Sequence, residues 1–172
     1  TIYGMRYGIQ GLLEKKIVDL GEKIRNDMDV ELLKRTPASF LGSCRYKLPE
    51  ISADKTIYER IFEILEELEI TAFFYIGGND SMDTIKKLSD YAQTVDSPIR
   101  FIGVPKTIDN DLEGTDHTPG YGSAAKYIAT VTKELVRDGL IYEMQSVTVI
   151  EIMGRNAGWL TGAAALAKSE DC

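Results

Sequence analysis

The sequence predicts an α/β protein with a mostly parallel sheet and helices on both faces of that sheet. Three short apolar segments, 71–76, 99–102 and 147–152, are the candidate strands, because they are rich in β-branched and aromatic residues and too short for helices. Segments with helical apolar spacing separate them along the chain. Strands that alternate with helices usually pair in parallel, so a layered α/β fold is expected.

Composition and charge narrow the classes of function. The 172 residues include 44% hydrophobic ones, enough for a sizeable core, and no segment is long and apolar enough to span a membrane. The balance of 20 Lys and Arg against 27 Asp and Glu gives a net charge of −7, which argues against nucleic-acid and membrane partners, since both need a basic face. Two cysteines, Cys44 and Cys172, make no disulfide framework, so a cytoplasmic location is expected.

The N-terminal part of the chain has the weakest pattern. Residues 3–17 have loosely helical apolar spacing, which Gly4, Gly8 and Gly11 weaken. These glycines could admit a ligand or another backbone, or they could mark a turn. Residues 19–34 predict one or two short helical turns before a break.

The middle of the chain has clearer periodicity. Asp54 can cap a helix that has one apolar stripe. The stripe consists of Ile57, Ile61, Leu65 and Leu68. The segment 71–76 predicts a strand buried on both faces, and residues 77–81 end it and begin a second helix.

The last third predicts a helix, a strand and another helix. Apolar residues at helical spacing indicate a helix from about 121 to 138. The strand at 147–152 is expected to end in the loop 153–156, and an alanine-rich helix follows, with Trp159 expected in the core. The link 114–122 contains Gly, His and Pro and has the composition of a domain boundary.

Unusual polar residues follow each of the three predicted strands, at 77–81, 106–111 and 153–156. The carboxyl ends of parallel strands share one edge of a sheet, and ligands of open α/β sheets bind there. Each pattern alone also fits an ordinary turn or surface loop. Their occurrence after three successive strands favours a binding site.

The segment 106–111 contains the residues that phosphoryl transfer to an alcohol requires. Asp109 is the candidate general base, because activation of a hydroxyl needs a carboxylate within hydrogen-bond reach. Lys106 and Arg155 would neutralise charge on the group being transferred.

The Gly77-Gly78 pair offers backbone N–H groups to an anion at the start of a helix. The pair belongs neither to a Walker loop nor to a Gly-x-Gly-x-x-Gly motif. Asp80 would repel a phosphate from one position unless a metal or neighbouring cations intervene. We therefore expect Asp80 to exclude one phosphate position.

Four motifs taken together resemble the signature series of the 6-phosphofructokinases. They are residues 76–81, 105–111, 114–116 and 151–155, in that family's order and spacing. Residues 3–20 and 41–45 are similar to its earlier segments. The resemblance implies an enzyme that phosphorylates the 1-hydroxyl of fructose 6-phosphate, and it implies a homo-oligomer, either a dimer or a tetramer.

Within this resemblance, two positions indicate which molecule donates the phosphoryl group. ATP users of the family generally have Gly at the positions of Asp80 and Lys106, whereas pyrophosphate users have Asp and Lys. The resemblance therefore implies pyrophosphate, with Asp80 filling the room of an ATP α-phosphate and Lys106 helping to hold pyrophosphate. An ATP-dependent enzyme and a non-catalytic regulatory subunit on the same fold stay open as alternatives.

The resemblance also assigns roles by position. Asp109 would deprotonate the sugar hydroxyl, with Lys106 and Asp80 as the other catalytic residues, and Asp111 would support their loop or stabilise charge through magnesium. Mg²⁺ is the implied cofactor, with Asn79 as a ligand where most relatives have Asp, and with Asp80 as the residue that would share this role. Fructose 6-phosphate would contact Thr107, Asp109, Met153, Gly154 and Arg155. Pyrophosphate would contact Arg45, Gly78, Asp80 and Lys106.

The resemblance further implies an incomplete two-domain protein. Residues 1–120 would form the phosphoryl-donor domain without its N-terminal strand, and residues 121–172 would begin the sugar-phosphate domain. We expect this chain alone to be inactive.

Overall fold

The fold is described by a computed structural model over residues 1–168, and it divides into two compact units, Thr1–Val104 and the part from Pro105 onward. In chain order the elements are β1 (Tyr3–Met5), α1 (Gly8–Leu13), β2 (Ile17–Asp19), α2 (Leu20–Lys23), α3 (Asp27–Arg35), α4 (Thr56–Glu67), β3 (Ala72–Gly77), α5 (Asn79–Thr94), β4 (Arg100–Pro105), α6 (Tyr121–Gly139), α7 (Trp159–Ala163) and a 3₁₀ helix (Ala164–Ala167).

The N-terminal segment is a strand pair around a short helix, so the prediction of helical structure throughout 3–17 is wrong. β1 pairs antiparallel with β2, with Gly4 opposite Val18, and only α1 between them is helical. The glycines in this segment allow close packing. A Cβ on Gly11 would lie 1.5 Å from the carbonyl oxygen of Arg6, and a Cβ on Gly4 would lie 2.8 Å from Leu41. Backbone and side-chain approach, rather than helix formation, explains these glycines.

The helix predicted after Asp54 is confirmed as α4. The Oδ1 of Asp54 accepts hydrogen bonds from the Thr56 N–H at 3.1 Å and from the Thr56 hydroxyl at 2.6 Å. The Thr56 hydroxyl holds the pKa of Asp54 below its usual value. The inner face of α4 lies in the main core with α1 and α5; its buried members are Tyr58, Ile61, Phe62, Ile64 and Leu65. Each fully buried side chain of this size contributes about 1.5–3 kcal/mol.

β3, α5 and β4 form a β-α-β unit in which the two strands are parallel neighbours. One face of the pair packs into the core, where the Phe73 and Phe101 rings lie 5.6 Å apart and Phe101 also contacts Phe62 of α4. On the opposite face Phe74 and Ile76 are 63% and 68% exposed. The prediction of a strand at 71–76 is confirmed, but its burial on both faces is wrong for this chain, since the helices of the first unit cover one face.

The helices of the second unit among the described residues are α6, α7 and the 3₁₀ helix, which pack against one another. The helix predicted at 121–138 and the alanine-rich helix are confirmed. The strand predicted at 147–152 is wrong: Val147 and Val149 are 92% and 88% exposed and pair with no strand among the described residues. Apolar alternation forms a strand only beside a partner that supplies hydrogen bonds. Trp159 is exposed, so its assignment to the core is also wrong, whereas Leu160 is buried.

None of the helices in residues 1–168 is both long and apolar enough to cross a membrane. Cys44 is a free thiol, and Cys172 lies outside the described residues. Along the chain, the boundary between the two compact units lies after Val104, whereas the boundary expected at 120 separates the parts predicted to bind different ligands. That assignment stays a prediction.

Candidate active site

The junction between β3 and α5 is a tight turn that only glycine permits. A Cβ on Gly77 would lie 2.1 Å from the Ser81 hydroxyl oxygen, so a side chain there would displace the first turn of the helix. The carbonyl of Gly78 accepts hydrogen bonds from the N–H groups of Ser81, at 3.0 Å, and Met82, at 3.1 Å. The turn therefore places Asn79 and the residue after it at the N-terminal end of α5, where the helix dipole favours negative groups.

Asn79 and Asp80 are exposed in the first turn of α5. A hard cation such as Mg²⁺ takes oxygen ligands, and it commonly uses one or two protein oxygens with waters and phosphate oxygens completing the shell. The amide oxygen of Asn79 and the carboxylate of Asp80 match that donor chemistry. No group of three or more His, Cys, Asp or Glu that could hold a metal occurs within residues 1–168. The oxygens of Asn79 and Asp80 therefore fit a magnesium ion whose other ligands are waters and phosphate oxygens.

The loop that leads to Arg45 is held against the start of α1. The N–H of Tyr7 donates to the carbonyl of Leu41 at 2.8 Å, and the Ser39 hydroxyl donates to the carbonyl of Gly42 at 2.6 Å. Gly42 has a φ of 78°, and a Cβ on it would lie 2.6 Å from the Tyr7 ring. These contacts fix the backbone before Arg45, whose side chain is exposed and accessible to an anion.

The chain after Arg45 is attached to α5 through Lys87. Its ammonium lies 2.7 Å from the Glu50 carboxylate and 2.8 Å from that of Asp83, and it donates to the carbonyl of Leu48 at 3.1 Å. The Lys87 side chain is only 11% exposed, and the hydrogen bonds that its ammonium donates to Asp83 and Glu50 raise its pKa above the usual value. The segment on both sides of Arg45 is therefore anchored to the fold.

In the second unit, hydrogen bonds bring together three of the predicted residues. The Oγ1 of Thr107 accepts a hydrogen bond from the N–H of Asp109 at 3.1 Å, and the same hydroxyl lies 3.5 Å from Oδ1 of Asp111. A threonine that bonds two residues ahead in this way forms a compact turn. Lys106, directly before the turn, is exposed.

The Asp109 carboxylate has a buried oxygen, Oδ1, that finds no hydrogen-bond partner among residues 1–168. Burying an acceptor without a partner costs about 1–3 kcal/mol and more when the group is charged. A bound ligand that supplies the missing hydrogen-bond donor would offset this cost. The hydroxyl group of a bound alcohol is a donor of the required kind.

Asn110 is a supporting residue that the motif alone did not identify. It is buried, has a left-handed φ of 59°, and bonds through both ends of its amide, to the Thr118 N–H at 2.9 Å and to the Asp116 carbonyl at 3.1 Å. Asn tolerates this backbone region better than most residues. An Asn between two Asp residues in a loop was the one available signal.

The remaining predicted residues lie in the loop before α7. Gly154 has a φ of 135°, and a Cβ on it would lie 2.3 Å from the carbonyl oxygen of Ala157, so glycine is required. Met153 and Arg155 on either side are exposed. This loop follows an irregular segment and not a strand, so only two of the three predicted sets of polar residues, 77–81 and 106–111, follow a strand.

The predicted residues are thus divided between the two units. Gly78, Asn79, Asp80 and Arg45 belong to the first unit. Lys87 of α5 joins their two segments through its ion pair with Glu50 and its hydrogen bond to the Leu48 carbonyl. The second unit holds two sets: Lys106, Thr107 and Asp109 in one loop, and Met153, Gly154 and Arg155 in another.

The fold and the loops define an α/β chain with its polar residues at strand ends and helix starts. Comparison with known families is more specific, since the phosphofructokinase family model matches residues 1–172. The chain belongs to the phosphofructokinase family, and the family predicted from the motifs is confirmed.

Individual relatives extend this finding. A pyrophosphate–fructose 6-phosphate 1-phosphotransferase of Halomonas elongata is 44% identical over 168 residues, which are 96% of this chain and 40% of that protein. One of the same name from Xanthomonas campestris is 43% identical with the same coverage. The crystal structure of a pyrophosphate-dependent phosphofructokinase from Nitrosospira multiformis superposes with a TM-score of 0.86 at 43% identity, over 99% of this chain and 42% of that one. The chain spans about 40% of the length of these relatives.

Proposed function

We propose that the full-length protein transfers a phosphoryl group from pyrophosphate to the 1-hydroxyl of fructose 6-phosphate, giving fructose 1,6-bisphosphate and phosphate. The observation that carries the proposal is the buried Oδ1 of Asp109, which finds no partner among residues 1–168, in a chain that matches this family. The names of relatives at 43–44% identity support the choice of reaction.

Asp109 acts as the general base. As the sugar oxygen O1 forms its bond to phosphorus, its proton passes to the Asp109 carboxylate. The bond between that phosphorus and the bridging oxygen of pyrophosphate breaks, and the bridging oxygen leaves with the electron pair as part of phosphate. The hydrogen bond from the Asp109 N–H to Thr107 restrains the base in its loop.

The phosphoryl donor is held by cations and excluded from one position by an anion. Arg45 and Lys106 are exposed, and their positive charges would form charge-assisted hydrogen bonds with phosphate oxygens. The backbone around Gly78 opens the N-terminal end of α5 towards an anion. Asp80 would repel the α-phosphate of a nucleotide while leaving room for the shorter pyrophosphate.

Asn79 and Asp80 would hold Mg²⁺, and the ion, when bound, neutralises charge on the phosphate oxygens. Met153, Gly154 and Arg155 would contact the sugar phosphate, with the guanidinium as a charged donor. Residues 1–120 would form the donor domain, and the sugar-phosphate domain would begin at 121. The protein would act as a homo-oligomer, a dimer or a tetramer, in the cytoplasm.

The test is an assay of the full-length protein with fructose 6-phosphate, Mg²⁺ and a single donor. Turnover with pyrophosphate and at most trace turnover with ATP is the expected result. Turnover with ATP alone would replace pyrophosphate by ATP as the donor. Absence of turnover with either donor would instead favour a regulatory subunit on the same fold.

A further inference from the structure

The Tyr75 hydroxyl lies where three segments of the first unit meet. Burial raises the pKa of this phenol, and the Cys44 thiol, the N–H of Ile9 in α1 and the Ser81 hydroxyl in α5 also act on that pKa, so all three groups lie near it. A Cβ built on Gly8 would lie 3.1 Å from the Tyr75 hydroxyl oxygen and 3.1 Å from the Cys44 sulfur, so these groups crowd around one point. Because Tyr75 itself belongs to β3, one side chain joins the strand, two helix starts and a loop.

Two of these partners are the sequence neighbours of residues proposed to bind the donor. Cys44 directly precedes Arg45, and Ser81 directly follows Asp80. Adjacent residues share a planar peptide unit that holds their Cα atoms 3.8 Å apart, so fixing one member of each pair restricts its neighbour. The Tyr75 hydroxyl therefore links the backbone that carries the Arg45 cation to the backbone that carries the Asp80 carboxylate.

Two glycines leave space for the groups around the Tyr75 hydroxyl. Gly8 has a φ of 59°, which disfavours a side chain, and a Cβ there would lie 3.1 Å from both the Tyr75 hydroxyl oxygen and the Cys44 sulfur. On the other side, Gly77 leaves the room that the Ser81 hydroxyl occupies. Burial raises the pKa of Tyr75, so the phenol keeps its proton at neutral pH and can both donate and accept.

We propose that Tyr75 is a positioning residue of the donor site, one that sets the separation between Arg45 and Asp80 through Cys44 and Ser81. This inference rests on the proposed function. Loss of the hydroxyl leaves the ring in the core but removes the partner shared by the loop and the helix start. Donor binding then weakens, while the loop that carries Asp109 keeps its own hydrogen bonds.

The test is Tyr75→Phe in the full-length enzyme. The KM for pyrophosphate should rise about three- to tenfold, the effect of about one net hydrogen bond, and kcat and the KM for fructose 6-phosphate should change less than about twofold. Tyr91→Phe is the matched control, because Tyr91 is a buried tyrosine of α5 that packs against Phe62 in the core. The control should leave all three parameters within the same limit.

A double-mutant cycle separates positioning from general loss of structure. Ser81→Ala should raise the KM for pyrophosphate as well, and its effect combined with Tyr75→Phe should be smaller than the product of the single effects, because both remove one interaction. If Tyr75→Phe fails to fold, Ser81→Ala and Cys44→Ala carry the same test.

An unchanged KM for pyrophosphate in these variants, or an equal rise in the KM of both substrates, would overturn the inference. Failure of the proposed function is visible in the wild-type enzyme alone, as absence of turnover with pyrophosphate. If the wild type uses ATP instead, the ratio of the variant's KM to the wild-type KM is measured with ATP as the donor. If neither donor is used, calorimetry gives the ratio of dissociation constants for pyrophosphate, and a ratio near one rejects the role.

Discussion

The backbone N–H of Thr118 donates a hydrogen bond of 2.9 Å to Oδ1 of Asn110, across eight residues of loop. The other end of the same amide donates to the carbonyl of Asp116 at 3.1 Å. Asn110 directly follows Asp109, so this one side chain joins the residue next to the proposed base to residues 116 and 118. A neutral amide next to the proposed base therefore holds the shape of the loop.

Asn110→Ala should lower the free energy of unfolding of the full-length protein by about 2–4 kcal/mol. The change removes two buried hydrogen bonds and leaves a β-carbon with no amide at a φ of 59°. Urea denaturation measures the loss. Asn110→Gly accepts the left-handed backbone and should recover about 1 kcal/mol of it. Equal stability of all three proteins would contradict the role of the amide.

Asp109→Asn should reduce kcat by about 10²–10⁴-fold, with KM values little changed, because an amide cannot accept the proton of the sugar hydroxyl. The unfolding free energy should not fall, since Oδ1 of Asp109 has no partner within the described residues to lose. Steady-state kinetics and urea denaturation check the two halves of this prediction. Asp138→Asn, on the exposed surface of α6, is the control. A kcat near wild type in Asp109→Asn would remove Asp109 from the mechanism.

Asp80→Gly combined with Lys106→Gly should abolish most use of pyrophosphate, lowering kcat/KM for that donor by about 100-fold or more. Loss of the Lys106 ammonium would remove the proposed charge-assisted contact, and loss of Asp80 would remove the anion proposed to reserve the site for a short donor. Assays with each donor alone measure the change. Lys86→Gly, at an exposed lysine of α5, controls for loss of a lysine elsewhere. Retained pyrophosphate activity in the double variant would show that other residues select the donor.

Gly154→Ala should raise the KM for fructose 6-phosphate by about tenfold or more. A Cβ there would lie 2.3 Å from the Ala157 carbonyl oxygen, so the loop that presents Met153 and Arg155 must shift. The KM for pyrophosphate should change much less. Gly139→Ala serves as the control, because a Cβ at that helix position meets nothing within 4 Å. Equal changes in both KM values would point to a general distortion instead.

Lys87→Met should remove a pH dependence of the stability against unfolding that the wild type shows in alkaline solution. The pKa of Lys87 is raised in the folded state by Asp83 and Glu50, from an ordinary value of 10.5. Its contribution to stability is therefore complete below pH 10.5 and is lost as the pH rises through the folded-state pKa.

Thermal unfolding of the wild type and Lys87→Met, measured from pH 9 to pH 11 and above, checks this expectation. At pH 9 the variant should be less stable than the wild type. Most of this difference in stability should disappear only at the alkaline end of the range. Lys86→Met is the matched control, since Lys86 pairs with Asp90 on the exposed face of the same helix. Parallel curves for wild type and Lys87→Met would contradict the ion-pair account.

The elements that sequence reasoning placed correctly have strong local signals. The apolar stripe of α4, the Gly-Gly end of β3 and the long periodic pattern of α6 each depend on residues close together in the chain. The strand at 147–152 failed because its apolar alternation needs a hydrogen-bonding neighbour, and none pairs with it in the described part of the chain. Residues 3–17 failed because their glycines allow close approach of Arg6 and Leu41, which periodicity does not reveal.

By itself the sequence determined the family, the order of most elements and the identity of the charged residues in the motifs, since motif residues at fixed spacing are a local property. The tertiary structure decided which groups support them. It left Oδ1 of Asp109 buried with no partner in the part of the chain that the structure describes, and it gave both ends of the Asn110 amide a bond. It also brought Cys44 and Ser81 close to the Tyr75 hydroxyl. Cys44 and Tyr75 are 31 positions apart in the chain. Contacts between distant segments arise from packing, and no local pattern encodes them.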